Sequence, residues 1–497
     1  MNFISTRGGE ERVSAAYAIK NGLAKDGGLY MPESIPSLTE DEIKKISGLS
    51  YSERAAYIIG KFLTDYTYEE LLEDAKGAYA EEKFGPSAAP VTKLSENTYM
   101  LELWHGPTSA FKDMALQIMP RLFVRALRKT GEKRNALILV ATSGDTGKAA
   151  LEGYKDIDGT SIQVFYPTDG VSRVQKLQMQ TQEGGNVKVI GIRGNFDDAQ
   201  SGVKRIFADM DMVRTLDDAG TFLSSANSIN WGRLVPQIVY YVSAYCDMLA
   251  SGALKYGDKL DVCVPTGNFG NIFACYIAKL MGLPIGRLIC ASNKNNVLTD
   301  FLESGTYNRV RPFHQTISPS MDILISSNLE RLLYLVCGQK KTAEYMNALA
   351  NDGGYTLDGE DFAKIKESFL GYYTDEEETK ATIRCVYENK NCLIDTHTAV
   401  AHHAAEEYMN EYETERKILV VSTASPYKFA KDVYVSLRGE SSALQFSDDT
   451  EALDALEAYT GVKIPVPLSG LTAKVILHSD IIDKEDMDSA VVGFAKA

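Results

Sequence analysis

A lysine and an aspartate close the run Leu103-Trp104-His105-Gly106-Pro107-Thr108-Ser109-Ala110-Phe111-Lys112-Asp113, a turn-rich loop that leads into an apolar helical stretch. Spacing alone fits an ordinary solvated lysine. Among Trp104, Phe111 and Met114, however, the amine can be partly desolvated. Desolvation lowers a lysine's proton affinity and makes it a nucleophile toward carbonyls.

Two further loops have the composition of anion cradles. Ala141-Thr142-Ser143-Gly144-Asp145-Thr146-Gly147-Lys148 follows an apolar run and precedes a predicted helix over Ala149–Tyr154. Small and hydroxylated residues there turn free helix N–H groups toward an anion. The loop is not a P-loop, because only two residues separate Gly144 from Gly147 and Ala149 follows the lysine. Simple capping by Ser143 or Asp145 is the competing explanation. Pro265-Thr266-Gly267-Asn268-Phe269-Gly270-Asn271 repeats the design between an apolar run and a predicted helix over Ile272–Met281. Its two glycines let the backbone close on a phosphate. A plain strand-to-helix turn tolerates the same residues, but two such loops in one chain argue against coincidence.

A fourth segment, Ile418-Leu419-Val420-Val421-Ser422-Thr423-Ala424-Ser425-Pro426, puts hydroxyls where a buried strand should end. Ser425 suits the cap of a helix starting at Pro426, and Thr423 is better placed to face a ligand. The six histidines show no HExxH or comparable spacing, and no G-x-S-x-G elbow is present, so neither a catalytic metal nor a Ser-His-Asp site is expected.

The elements that must position these loops follow from hydrophobic period. Apolar runs at Ala136–Ala141, Ile162–Tyr166, Val187–Ile192, Leu260–Val264, Leu288–Ala291 and Ile418–Val421 are each followed by a loop and a helix-period segment. That alternation predicts an α/β protein with largely parallel sheets, whose ligands sit beyond the carboxyl ends of strands. Leu38 to Glu82 is helical in pattern, and the breaker-rich Gly85–Pro90 marks a boundary. We therefore expect a small N-terminal domain over 1–85, catalytic α/β domains over 86–435 and a C-terminal segment over 436–497. The charged stretch from about Lys340 to Lys390, including EDFAKIKESFLGYY, reads as a helical insertion or a solvated layer.

At 497 residues the chain exceeds the size of one simple core. A net charge of −15 without a basic cluster argues against nucleic acid as a partner. No stretch approaches the roughly 20 apolar residues that span a bilayer, and MNFISTRGGEERVSAA has neither a signal-peptide core nor the acid-poor character of a transit peptide. A cytoplasmic protein is expected. Seven cysteines without a CxxC pair indicate no disulfide framework and no zinc site.

Taken together, HGPTSAFKD, ATSGDTGKAA, SSANSIN, PTGNFGN and STASPYKF resemble threonine synthase, a family of the second fold type of pyridoxal-phosphate enzymes. STRGGE and AKDGGLYMPESIP are similar to that family's N-terminal domain, so the resemblance extends over most of the chain. It implies two largely parallel twisted sheets flanked by helices, with pyridoxal 5'-phosphate as cofactor and Lys112 as the Schiff-base lysine. Gly267, Asn268, Phe269, Gly270 and Asn271 would hold the cofactor phosphate, and Thr423 would face the pyridine nitrogen. Ser143, Gly144, Asp145 and Thr146 match the loop that receives the substrate's α-carboxylate. Because Asp145 repels that carboxylate, it is expected to bond a backbone or cofactor group instead. Asn227, Ser228 and Asn230 match substrate contacts, with structural turn residues the alternative, and the Ser225–Asn230 cluster is left for the substrate's own phosphate. Lys428 is a further candidate for a phosphate contact.

The implied reaction takes O-phospho-L-homoserine and water to L-threonine and phosphate. A phospho-amino-acid lyase or a dehydratase with the same cofactor is one alternative. A non-catalytic ligand-binding relative is another. The sequence says nothing of oligomeric state.

Overall fold

The computed structural model describes residues 1–9, 11–142 and 144–496. Each of the six apolar runs forms a strand. The larger sheet runs in the order Phe369–Tyr373, Ile285–Ser292, Leu260–Pro265, Ile418–Ser422, Thr98–Glu102 and Val91–Lys93. Its neighbours are parallel except the last pair, which is antiparallel. Cys263 lies opposite both Ile289 and Val420 in register, at the middle of a sheet buried on both faces. The second sheet, in the order Ile481–Ile482, Val187–Ile192, Thr160–Pro167, Asn135–Ala141 and Thr221–Ser224, is parallel throughout. Continuous apolar strands such as LDVCVP and ILVVS are what two covered faces demand.

Residues 1–85 contribute a two-stranded antiparallel ribbon, Phe3–Ser5 with Tyr30–Pro32, and a set of short helices. Three of those helices, Glu40–Ser47, Tyr51–Phe62 and Tyr68–Ala78, begin with reciprocal capping boxes, Thr39 with Glu42, Ser50 with Glu53 and Thr67 with Glu70. The S/T-x-x-E spacing in the sequence is the physical reason they start where they do. The first two pack on Trp231–Ala250, a helix buried almost all round that also meets Gly270–Leu280, and Tyr68–Ala78 packs on Tyr51–Phe62. Among the described residues no helix is long and apolar enough to cross a membrane.

The helical reading of 340–390 needs correction in its middle. Helix Gly359–Lys366 stops, and Phe369–Tyr373 becomes the edge strand of the larger sheet, parallel to Ile285–Ser292. Aromatic Phe369, Tyr372 and Tyr373 favour the strand. The charges of Lys364, Lys366 and Glu367 just before them disguised the change of period. Gly354–Thr356 is a second strand in the stretch, paired antiparallel with Thr306–Asn308. The helix expected from Pro426 begins instead as a 3₁₀ turn, Pro426–Phe429, and becomes α-helical at Ala430–Arg438.

One close approach fixes the helix that follows Lys112. A Cβ added at Gly153 would lie 1.9 Å from the carbonyl oxygen of Leu116, so helix Asp145–Tyr154 touches helix Asp113–Leu116 backbone to backbone. Gly153→Ala is therefore expected to cost about 1–3 kcal/mol, as overpacking does. Thermal unfolding checks this, and an unchanged melting temperature would contradict the contact.

Candidate functional site

The loop that carries Lys112 is laced onto the end of strand Ile418–Ser422. Leu103 N donates to Ser422 O at 3.0 Å, Phe111 N to Thr423 O at 2.8 Å, and Ser425 N to Ser109 O at 3.1 Å. Two segments far apart in sequence thus form one ridge. Asp113 braces the loop from within, because Thr108 N and Oγ1 donate to its two carboxyl oxygens at 2.8 and 2.7 Å. Burial pushes the Asp113 carboxyl up to about 6.

Lys112 closes this loop with only 12% of its side chain exposed. Its Nζ donates to Ser320 Oγ at 3.3 Å, lies 3.6 Å from Asp145 Oδ2 and sits 5.2 Å from the Phe111 ring centroid. Burial lowers its pKa, the charges of Lys428 and Arg233 act in the same direction, and Asp145 opposes them. A lysine held this way has more of the neutral, nucleophilic form than one in water.

Among the described residues no backbone group donates to the Asp145 carboxylate. Its Oδ1 pairs with Lys428 Nζ at 2.8 Å and accepts from Gln175 Nε2 at 2.9 Å. Burial alone would raise its carboxyl, but Lys428 and Lys112 hold it well below the usual carboxylate range. Lys428, fully buried, also donates to Gln178 Oε1 at 2.7 Å. Two buried charges with hydrogen-bonding amides are the arrangement that makes an interior ion pair tolerable. The Asp145 charge is thereby offset before any ligand carboxylate approaches.

In the first cradle Ser143 lies outside the described residues. Gly144 adopts φ 154°, a conformation that favours glycine. Capping of helix Asp145–Tyr154 falls to Thr142, whose Oγ1 accepts from Gly144 N and Gly147 N, both at 3.0 Å. A Cβ on Gly147 would collide with Thr142 at 2.2 Å, which explains the glycine. The Thr146 hydroxyl makes no hydrogen bond among the described residues.

The second cradle turns at Phe269, whose φ of 60° sends the chain into helix Gly270–Leu280 with no side-chain cap. Its carbonyls are pinned from behind. Ser326 Oγ donates to Gly267 O at 2.7 Å, and Asn328 donates to Asn268 O through both its backbone N and its Nδ2, each at 3.1 Å. The first-turn N–H groups of the helix are left to an external acceptor. Asn271 Oδ1 accepts from Tyr240 and Tyr241 at 2.5 and 2.6 Å, whereas its buried Nδ2 has no partner among the described residues. An orphaned donor beside an uncapped helix start fits an anionic group such as a phosphate ester. Ser320 joins this loop to Lys112, because its carbonyl oxygen would be 2.7 Å from a Cβ on Gly267. Thr423 is buried, and its hydroxyl makes no hydrogen bond among the described residues.

The Asn227–Asn230 segment is tied to the same centre. Asn328 Nδ2 donates to Ser228 O at 3.5 Å and Arg331 Nη2 to Ile229 O at 2.5 Å. Asn227 is exposed. Asn230 already uses both ends of its amide, Oδ1 accepting from Gly232 N at 2.8 Å and Nδ2 donating to Ile19 O at 2.7 Å. It starts helix Trp231–Ala250 and anchors it to the N-terminal helix Ala15–Asn21.

Sequence reasoning passed over Arg233, three residues beyond Asn230. Its guanidinium is buried, Nη1 donates to Ala226 O at 2.7 Å, and Nε has no partner among the described residues. Among the described residues no carboxylate pairs with it. Burial lowers its pKa to about 10. A buried unpaired cation is costly, and an arriving anion relieves that cost. The helical continuation of SSANSIN was the available signal, since it brings Arg233 back to the face of the loop.

A family model described as "Threonine synthase N terminus" matches residues 2–79, and one described as "Pyridoxal-phosphate dependent enzyme" matches residues 87–424. The chain is 41% identical over 457 residues to Threonine synthase-like 1 of Pongo abelii, covering 88% of this chain and 61% of that protein. It thus spans about 61% of the length of the first curated relatives it matches. It is 39% identical over 453 residues to threonine synthase of Pseudomonas aeruginosa, covering 89% of this chain and 92% of the relative. Among solved structures, PLP-bound threonine synthase from Brucella melitensis superposes with a TM-score of 0.87 at 36% identity, covering all of both chains.

Proposed function

The chain belongs to the threonine synthase family of pyridoxal-phosphate-dependent enzymes, and from that premise we propose that it converts O-phospho-L-homoserine and water to L-threonine and phosphate. The observation that carries this reading is the desolvated Lys112 amine standing among two anion cradles and the buried, unpaired Arg233. A phosphorylated cofactor needs one cradle. A substrate with a carboxylate and a phosphate needs the other cradle and the arginine.

In this reading Lys112 would hold the cofactor's aldehyde carbon, and Gly267, Asn268, Phe269, Gly270 and Asn271 would hold its phosphate. Bound there, pyridoxal 5'-phosphate supplies the electron sink for carbanion chemistry. Gly144, Thr146 and Ser143 receive the substrate α-carboxylate, and the ion pair with Lys428 keeps Asp145 from repelling it. Arg233, with Asn227 and Ser228 at the rim, takes the substrate phosphate. Asn230 acts by fixing the start of the Arg233 helix.

Lys112 Nζ, as a free amine, would remove the proton at Cα and then one at Cβ. Phosphate leaves from Cγ with the bridging oxygen. The same amine returns a proton to Cγ, water adds at Cβ and Cα is reprotonated. One amine within reach of three carbons makes a separate histidine base unnecessary. The acidic chain, with a net charge of −15 and no basic cluster, suits an enzyme that acts on a small molecule rather than on nucleic acid.

Cleavage at Cγ makes an isotopic prediction. In water enriched in oxygen-18 the label should enter the threonine β-hydroxyl and be absent from the released phosphate. Labelled phosphate would mean P–O cleavage by a phosphatase and would overturn the reading.

Thr423 offers the ring nitrogen a neutral hydroxyl, which cannot hold it protonated as a carboxylate would. Thr423→Asp is therefore expected to slow threonine formation and to raise abortive transamination, read as accumulation of pyridoxamine 5'-phosphate. Unchanged rate and products would contradict the assignment.

A further inference from the structure

The hydroxyl that receives the Lys112 hydrogen bond sits on a short 3₁₀ turn, Pro319–Met321. The flanks of that turn are held by side chains. Asn293 Nδ2 donates to Ser318 O at 3.2 Å and to Thr316 Oγ1 at 2.8 Å, and Thr316 N donates to Asp322 Oδ2 at 3.0 Å. Its tip is held differently. Ser320 N donates to Nε2 of His397 at 3.1 Å, and the other ring nitrogen, Nδ1, lies 2.9 Å from Asp395 Oδ2.

His397 and Asp395 are both buried, and the ring packs 4.8 Å from that of Phe429. Asp395 is fixed in turn, accepting from His397 N at 2.9 Å and Thr398 N at 3.1 Å as the cap of helix Thr396–Glu411. A ring nitrogen that accepts an amide hydrogen must be unprotonated, so the ring is neutral with its hydrogen on Nδ1, directed at Asp395.

We propose that Asp395 and His397 are positioning residues that hold the Ser320 hydroxyl against Lys112, so that this turn fixes where the lysine amine points. Asp395 selects the ring tautomer, the tautomer accepts the Ser320 amide, and Ser320 Oγ meets Nζ. The carbonyl of the same residue abuts Gly267, so the turn spaces the amine from the second cradle. The inference rests on Lys112 as the working amine, but its test needs no turnover.

A hydroxyl that accepts from an ammonium favours the charged form, so losing it lowers the lysine's titration midpoint. The full chain stripped of pyridoxal phosphate is labelled with acetic anhydride across pH, and the Lys112 peptide is followed by mass spectrometry. Ser320→Ala should lower the labelling midpoint by about 0.5–1 pH unit, making labelling below it roughly three- to tenfold faster. His397→Leu and Asp395→Asn should reproduce that shift, the latter by favouring the tautomer that cannot accept. Ser320→Ala combined with His397→Leu should move it no further than either alone, because members of one chain of contacts are not additive. His397→Gln, whose Oε1 can accept the Ser320 amide, should keep the wild-type midpoint and guards against a folding defect in His397→Leu.

An unmoved midpoint in Ser320→Ala, or a shift in that variant that His397→Leu lacks, would overturn the proposal. Failure of the function reading looks different: Lys112→Ala would retain turnover whatever the labelling shows.

Discussion

Lys112→Ala is expected to abolish turnover, with kcat falling by about 10⁴-fold or more, and the absorbance band of lysine-bound cofactor should disappear with it. The size of the effect follows from how many tasks fall on one atom. In the proposed reaction Nζ would anchor the cofactor and then move every proton among Cα, Cβ and Cγ, and the two carboxylates nearest it among the described residues have other partners as well. Asp145 is paired with Lys428, and Asp113 is engaged by Thr108. Neither of these two carboxylates is free to substitute as a base. The second cradle survives in the variant, so pyridoxal phosphate should still bind, more weakly and without the covalent link. Equilibrium dialysis separates that outcome from unfolding, and full activity in Lys112→Ala would end the assignment.

The second large effect concerns the phosphate of the substrate. Arg233 is buried, with its Nε unpartnered among the described residues, so in the proposed reading homoserine, which lacks the phosphate, would leave the guanidinium uncompensated and would also offer a poor leaving group. Polar sites reject analogues that leave them unpaired by about 10⁴–10⁵, so kcat/KM for homoserine should be lower than for phosphohomoserine by about 10⁴ or more. Arg233→Gln should narrow that gap from above. It lowers kcat/KM for phosphohomoserine by about 10²–10³, the usual loss when one preorganised donor is removed, and leaves homoserine turnover where it was. Near-equal kcat/KM for the two substrates in the wild-type enzyme would assign Arg233 a structural role and favour a dehydratase-like reaction.

Much of this architecture is written in the order of residues. Apolar runs such as LDVCVP and ILVVS are legible because strands covered on both faces need no alternation, and the helix starts of the N-terminal region are legible from Thr39 with Glu42, Ser50 with Glu53 and Thr67 with Glu70. Phe369–Tyr373 was missed because its pairing with Ile285–Ser292 is non-local, whereas the local charge pattern continues that of the preceding helix. The site shows the same division. Lys112 and the two cradles are contiguous motifs that chemistry can read directly. The Asp145–Lys428 pair, the Ser320 contact and the Asp395–His397 support join residues tens to hundreds of positions apart, and only folding brings them together. Arg233 lies between these cases, being close to SSANSIN in sequence but recognisable only once its burial and lack of a carboxylate are visible.

The central claim is that a single site eliminates phosphate and then adds water to the same carbon skeleton. It is tested most directly by incubating the purified protein, loaded with pyridoxal 5'-phosphate, with O-phospho-L-homoserine and measuring phosphate and L-threonine in the same reaction. The account predicts that they appear at equal rates and in a one-to-one ratio. Phosphate released without threonine, with 2-oxobutyrate or homoserine in its place, would contradict it.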